Sequence, residues 1–210
     1  MAVAAPANGA ILLDKDGTLL ENVPYNVDPA AMRLAEGAAD ALRILSRLDM
    51  PLAVVSNQPG VALGRFGVHA LQSVHQRLRE LFSLHGARLS GFFWCPHHPR
   101  GMVRPYAVHC MCRKPAPGML WQAAAALGCD LSRSWMVGDI LDDVEAGRRA
   151  GCSTVLVDCG NETEWLGGEL RTPDFIVPTI DRAAQVIARD CRANAPRSLR
   201  FSDSDDRELP

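Results

Sequence analysis

No apolar stretch in this chain approaches the roughly 20 residues of a membrane-spanning helix, because charge or proline interrupts each run. The opening "MAVAAPANGA" also lacks the charged start and long apolar middle of a secretory signal. Charge of one sign is missing as well: 22 Lys and Arg stand against 24 Asp and Glu, a formal net charge of -2. Such a balance argues against nucleic acid and other polyanions as partners. There is no internal repeat and no low-complexity tract. The cysteine count is odd, at seven, and three of them, Cys95, Cys110 and Cys112, cluster with histidines, which suits metal ligation in a reducing compartment better than a disulfide framework. The expected setting is the cytoplasm, with neither membrane nor nucleic acid as partner.

What is present is enough for one α/β domain: 210 residues can bury a sizeable core but would crowd two domains. Residues 1–8 and 194–210 are without periodicity, and both ends are expected to be mobile. Between them, over 9–193, short apolar runs alternate with amphipathic stretches. Strands are predicted at 10–13, 52–56, 89–94, 134–138, 153–158 and 174–177, and helices at 36–48, 68–86, 117–128, 142–151 and 180–191. Runs such as "LAVVS" and "STVLVD" are apolar without alternation, the pattern of strands covered on both faces of a parallel sheet. Right-handed crossovers then bring the strand C-termini to one edge. The stretch 95–117 is too long for a bare connection in a compact domain, so something is expected to hold it.

"AILLDKDGT" ends the first predicted strand with Asp14 and Asp16 two positions apart. A calcium loop would need its glycine at position 6, whereas Gly17 falls at position 4 counted from Asp14, and that reading fails. Asp16-Gly17 is also a hairpin cue, but no alternating strand follows in register. The period of two turns both carboxylates to one side where the strand stops, so one can attack a reacting group while the other carries its proton.

A phosphate target would require cations and hydrogen-bond donors from elsewhere, and three segments supply them. "LAVVSNQPG" ends a strand with Ser56 and Asn57, able to bond a phosphoryl oxygen, though Ser-Asn before Pro-Gly also simply starts a turn. "CRKPAPGM" supplies Arg113 and Lys114 ahead of a helix, and an isolated lysine is ordinarily a solvated charge. "SWMVGDILDDVEAG" places Asp139 beside Gly138 at a strand end and Asp143 near a helix start, where acids also merely favour the helix dipole.

Taken in order, "DKDGT", "SN", "RK" and "GDILDD" resemble the haloacid dehalogenase superfamily of phosphohydrolases, over roughly residues 9–160. That resemblance implies a doubly wound, Rossmann-like parallel sheet with no separate cap domain, and an open site whose specificity comes from loops. It implies Asp14 as nucleophile, Asp16 as general acid/base, Ser56 and Lys114 as phosphate clamps, and Asp139 as a Mg²⁺ ligand with Asp14. Asp16 would add its backbone carbonyl to the metal, and Asp143 would orient Lys114 or the metal shell.

"CPHHPRGMVRPYAVHCMC" holds Cys95, His97, Cys110 and Cys112, a thiolate and imidazole set that suits a closed structural Zn²⁺ site and would staple the long loop over 95–112. Scattered thiols and surface imidazoles are the plainer reading. The loop narrows the resemblance to the histidinol-phosphatase-like branch, and implies a monomer acting on a small phosphorylated sugar, a heptose 1,7-bisphosphate losing its 7-phosphate. Arg113 would then receive the phosphate that stays. Pro59 and Ile140 depart from the pattern, which often has Ser and Lys there, and the missing lysine weakens the case for a second phosphate. Candidate specificity loops are 21–29, 95–112 and 161–165; Tyr25 reads equally as specificity or packing, and Trp165 as packing. The competing readings are a histidinol-phosphate phosphatase, a nucleic-acid 3′-phosphatase, and a non-enzymatic zinc-binding interaction module.

Overall fold

The computed structural model describes residues 8–193, so the expected mobile ends, apart from Asn8, lie outside the described residues. Six parallel strands are arranged in the order β3-β2-β1-β4-β5-β6, the doubly wound order. They are β1 (Ile11–Leu13), β2 (Leu52–Asn57), β3 (Leu89–Cys95), β4 (Trp135–Gly138), β5 (Ser153–Val157) and β6 (Phe175–Val177). The helices are α1 (Ala38–Leu45), α2 (Ala70–Leu84), α3 (Gly118–Leu127), α4 (Leu141–Ala150) and α5 (Ile180–Ala193). Each predicted element is found, with ends moved by a few residues at most. No helix among the described residues is long and apolar enough to cross a membrane.

The period of two sorts β1 into two cores. Ile11 and Leu13 join the larger cluster with α1, α2 and α5, including Leu42, Leu78, Phe82 and Ile187. Leu12 faces the smaller one with Met119, Leu120 and Met136. Burial on both faces is why these strands read as unbroken apolar runs.

Register brings the candidate residues together. Leu13 lies level with Val54 on β2 and Val137 on β4, so Asp14, Ser56 and Asp139 all emerge at one sheet edge just beyond it. The Asp14 N–H is tied to Val137 O at 2.9 Å. Helix α4 approaches the sheet closely at Gly147, where a Cβ would fall 2.7 Å from Thr154 Cγ2 and 2.8 Å from Met136 Cβ. That approach seats the N-terminal turn of the same helix, which carries Asp143, over the strand ends.

Gly147→Val forces either α4 or the sheet to move. The expected loss is about 1–3 kcal/mol of stability, as for other overpacked cores, read as a lower urea midpoint at unchanged slope.

Candidate active site

At the C-terminal edge of the central strands, Lys114 is 2 % exposed and its ammonium is fully engaged. It is ion-paired with Asp14 Oδ1 and, at 2.5 Å, with Asp143 Oδ1, and it donates to Val55 O at 3.0 Å. Asn57 fixes the backbone of this lysine from both sides: its Nδ2 donates to Lys114 O, and its Oδ1 accepts from Lys114 N, each at 3.0 Å. Both ends of the Asn57 amide are therefore engaged on the chain rather than turned to a phosphoryl oxygen.

Asp14, Asp139 and Asp143 each bring a carboxylate oxygen within 4.8 Å of the others, and all three are buried. Thr18 Oγ1 donates to Asp139 Oδ1 at 2.9 Å and Asn161 Nδ2 to its Oδ2 at 2.9 Å. Gly17 is indispensable beside them: its φ is +91°, and a Cβ there would lie 2.1 Å from Asp139 Oδ2. Asp143 also accepts from the Ile140 N–H at 3.4 Å.

Asp16 is the most open of the four carboxylates, its side chain 29 % exposed. Lys15 Nζ lies 2.6 Å from its Oδ1, and Gln58 Nε2 donates to its Oδ2 at 3.2 Å. Gln58 donates also to the buried Ser56 Oγ at 2.8 Å, linking Ser56 to Asp16.

Burial raises the pKa of Asp139 to about 6, with the negative charge of Asp14 adding to it. It raises Asp143 to about 8, against the lowering effect of Lys114. Asp16 is also raised, first by burial, with Lys15 pulling the other way. Lys114 is raised because Asp14 and Asp143 outweigh its own desolvation. Four carboxylates facing two buried ammonium groups leave two negative charges when all are ionised. Hard oxygen donors with that surplus fit a divalent cation such as Mg²⁺.

The long loop carries a second cluster. Cys112 Sγ lies 3.2 Å from Cys95 Sγ, 3.3 Å from Cys110 Sγ and 3.3 Å from His97 Nδ1. Cys95 is 3.5 Å from both His97 Nδ1 and Cys110 Sγ. Three sulfurs and one imidazole nitrogen so gathered have the chemistry of a closed Zn²⁺ site. Burial first, then the neighbouring Cys112, raises the Cys95 thiol well above its ordinary range.

The cluster stands immediately before Arg113, whose Nη1 reaches His97 O at 3.5 Å. Arg113, Lys114, His109, Asp142 and Arg149 line a cleft of about 380 Å³. A larger cavity of about 620 Å³ lies at the opposite end of the sheet, among Gly9, Trp135 and Ser153 where strands begin. It is remote from the clustered carboxylates.

One expectation changes, for Trp165, and the reading left open for Tyr25 is narrowed. Trp165 is 55 % exposed, so it does not pack in the core. Tyr25 is exposed too, in the left-handed region at φ 57°, with the Arg65 guanidinium 5.7 Å over its ring. Sequence reading passed over Gln58 and Lys15, and took Asn161 only as part of the 161–165 loop. Only their nearness to "SN", to "DKD" and to a strand end could have drawn attention to them.

Residues 111–183 match the HAD-hydrolase-like family model. The chain is 37% identical over 200 residues to the D-glycero-beta-D-manno-heptose-1,7-bisphosphate 7-phosphatase of Escherichia coli K12, covering 95% of this chain and 96% of that protein. The Salmonella typhi enzyme of that name is 37% identical over 161 residues, 76% of this chain and 84% of its own. Among solved structures, the D,D-heptose 1,7-bisphosphate phosphatase of B. bronchiseptica, complexed with magnesium and phosphate, superposes with a TM-score of 0.74 at 29% identity. That superposition covers 87% of this chain and 99% of the other.

The pKa directions make the metal-free protein sensitive to alkali. Above the ordinary carboxylate range, near pH 4, the unfolded chain has lost protons that native Asp139 and Asp143 keep up to about 6 and 8, so stability falls as pH rises through that window. A divalent cation bound among these carboxylates would replace those protons. In EDTA the Tm is expected to drop from pH 5 to pH 8, and the increase in Tm on adding Mg²⁺ is expected to be larger at pH 8 than at pH 5.

Proposed function

We propose, on the premise that this chain belongs to the HAD-like hydrolases and within them to the family of the D-glycero-beta-D-manno-heptose-1,7-bisphosphate 7-phosphatases, that it removes the 7-phosphate of that heptose bisphosphate. The observation that carries the chemistry is the buried Asp14–Lys114–Asp143 cluster at the strand ends, with Asp139 beside it. The sugar is taken from what the relatives act on, over nearly the full length of the chain.

In this reading Asp14 attacks phosphorus in line with the leaving sugar oxygen. The phosphorus–sugar bond breaks, and protonated Asp16 gives its proton to that oxygen. Asp16 then takes a proton from water as the water attacks the aspartyl-phosphate, and the bond from Asp14 to phosphorus breaks to release phosphate. Lys114 balances Asp14 before attack and the phosphoryl oxygens after it, while Asp143 holds the ammonium in place. Ser56 stands at the same edge to donate to a phosphoryl oxygen. Asn57 serves by fixing the Lys114 backbone.

Asp14, Asp139 and the Asp16 carbonyl would hold Mg²⁺, which would supply further neutralisation of the transferring group. Cys95, His97, Cys110 and Cys112 would hold a Zn²⁺ that would anchor the loop leading to Arg113, the residue placed to receive the phosphate that stays. A non-enzymatic zinc module would leave three buried carboxylates gathered at a strand edge without a use.

Side-by-side assay with Mg²⁺ of the heptose bisphosphate, histidinol phosphate and a 3′-phosphorylated oligonucleotide tests the substrate. The bisphosphate is expected to lead in kcat/KM by about tenfold or more, and a lead by either rival overturns the assignment. Asp14→Asn is expected to lose about three orders of magnitude in rate with its fold intact by circular dichroism; appreciable residual turnover removes the nucleophile role. Elemental analysis is expected to find about one zinc per chain, lost in Cys110→Ser.

A further inference from the structure

Lys15 is among the most completely buried side chains in the molecule, at 1 % exposure. It lies in the turn that follows β1, two positions past Leu13, the last residue of the strand. An apolar residue would suit so buried a position, whereas an ammonium loses several kcal/mol of hydration on burial unless it is paired. Its ion-pair partner is Asp16 Oδ1 at 2.6 Å. Lys114, the other buried ammonium of the site, is wholly engaged with Asp14, Asp143 and Val55 O, so Lys15 alone of the two addresses Asp16.

The other oxygen of Asp16 is held too. Gln58, 3 % exposed, donates its amide to Oδ2 and to Ser56 Oγ, which stands on the neighbouring strand. The backbone beneath is closed by Leu20 N to Lys15 O and Gly17 N to Leu20 O, each at 2.8 Å. The one carboxylate of the group that is partly open to solvent is thus gripped on both oxygens by groups that are not open at all.

We infer that Lys15 and Gln58 are positioning residues that hold the Asp16 carboxyl in the geometry for proton transfer to and from the reacting phosphate ester. The inference rests on the proposed role of Asp16 as the acid and base of the reaction. A merely structural ion pair would matter to stability and not to the kind of leaving group, and this difference makes the two separable. A sugar alkoxide departs poorly without a proton, whereas 4-nitrophenolate departs without one, but the aspartyl-phosphate left behind needs Asp16 as base in both cases.

The test is rapid-mixing kinetics of Lys15→Met with the heptose bisphosphate and with 4-nitrophenyl phosphate. With the sugar, the first turnover is expected to slow about 10- to 100-fold. With the nitrophenyl ester the first turnover is expected to stay near the wild-type rate, as a burst of nitrophenolate followed by a slow steady state. Lys15→Arg, which keeps the cation, is expected to recover most of the sugar rate. Gln58→Met is expected to show the same leaving-group pattern more weakly, and it decides the matter should Lys15→Met fail to fold. Equal slowing of both first turnovers, or no slowing of either, overturns the inference. Asp16→Asn is the reference: if it does not itself discriminate between the two esters, the fault lies in the role given to Asp16 and not in Lys15.

Discussion

Three carboxylates gathered within ligand distance in a buried space repel one another, and the Lys114 ammonium is what offsets that repulsion. Its two ion pairs link strand β1 to helix α4, and its bond to Val55 O adds strand β2. Removing such a partner leaves buried charge uncompensated, the expensive outcome for an ion cluster. The elaborate hold on Lys114 follows from this. Asn57 clamps its backbone through two hydrogen bonds, so the amide that stands next to Ser56 in sequence serves the lysine.

The same compensation extends outward from the cluster. Asp139 keeps its place between Thr18 and Asn161, one from the turn after β1 and one from the loop after β5. Asn161 in turn accepts from Asn22 Nδ2 at 3.3 Å, so the loop over 21–29 is tied to the carboxylate edge at one end. Three residues on, Tyr25 lies under Arg65 from the loop after β2. That loop leans on the long one, with Met102 N and Val103 N donating to Ala62 O. The loops that border the site are thus linked in series, from Asn161 through 21–29 and the loop after β2 to the long loop.

Much of this was legible in the chain because parallel sheets turn sequence periodicity directly into position. A near-continuous apolar run ending in Asp, Ser or Gly-Asp announces a strand with a functional end, and "AILLDKD", "LAVVSN" and "WMVGD" all met at one edge as that logic requires. The Cys95, His97, Cys110 and Cys112 set was readable for a different reason: soft donors are scarce, and four in one loop stand out. Gln58, Asn161 and Lys15 were not readable, because amides and lysines are common and their significance depends on contacts across 42, 22 and 1 positions of chain. Exposure of Trp165 was missed because an aromatic residue in a loop carries no periodicity to say which way it faces.

Ile140, which weakened the case for a second phosphate when read alone, gains a different meaning beside its neighbours. The N-terminus of α4 carries a partial positive charge that would ordinarily welcome an anion. Here the Leu141 N–H already donates to Glu162 Oε2 at 2.7 Å, and Asp142 adds a second carboxylate in the same turn. Asp142 is itself paired with Arg171 at 3.0 Å and lines the same cleft as Arg113, so this turn offers no free cation of its own to a second phosphate. Across that cleft from Asp142, Arg113 lies next to Lys114, with His109 and Arg149 close by. In the proposed reading the remaining phosphate turns to Arg113 beside the cysteine-bearing loop, a placement that draws nothing from position 140, so the missing lysine does not weigh against it.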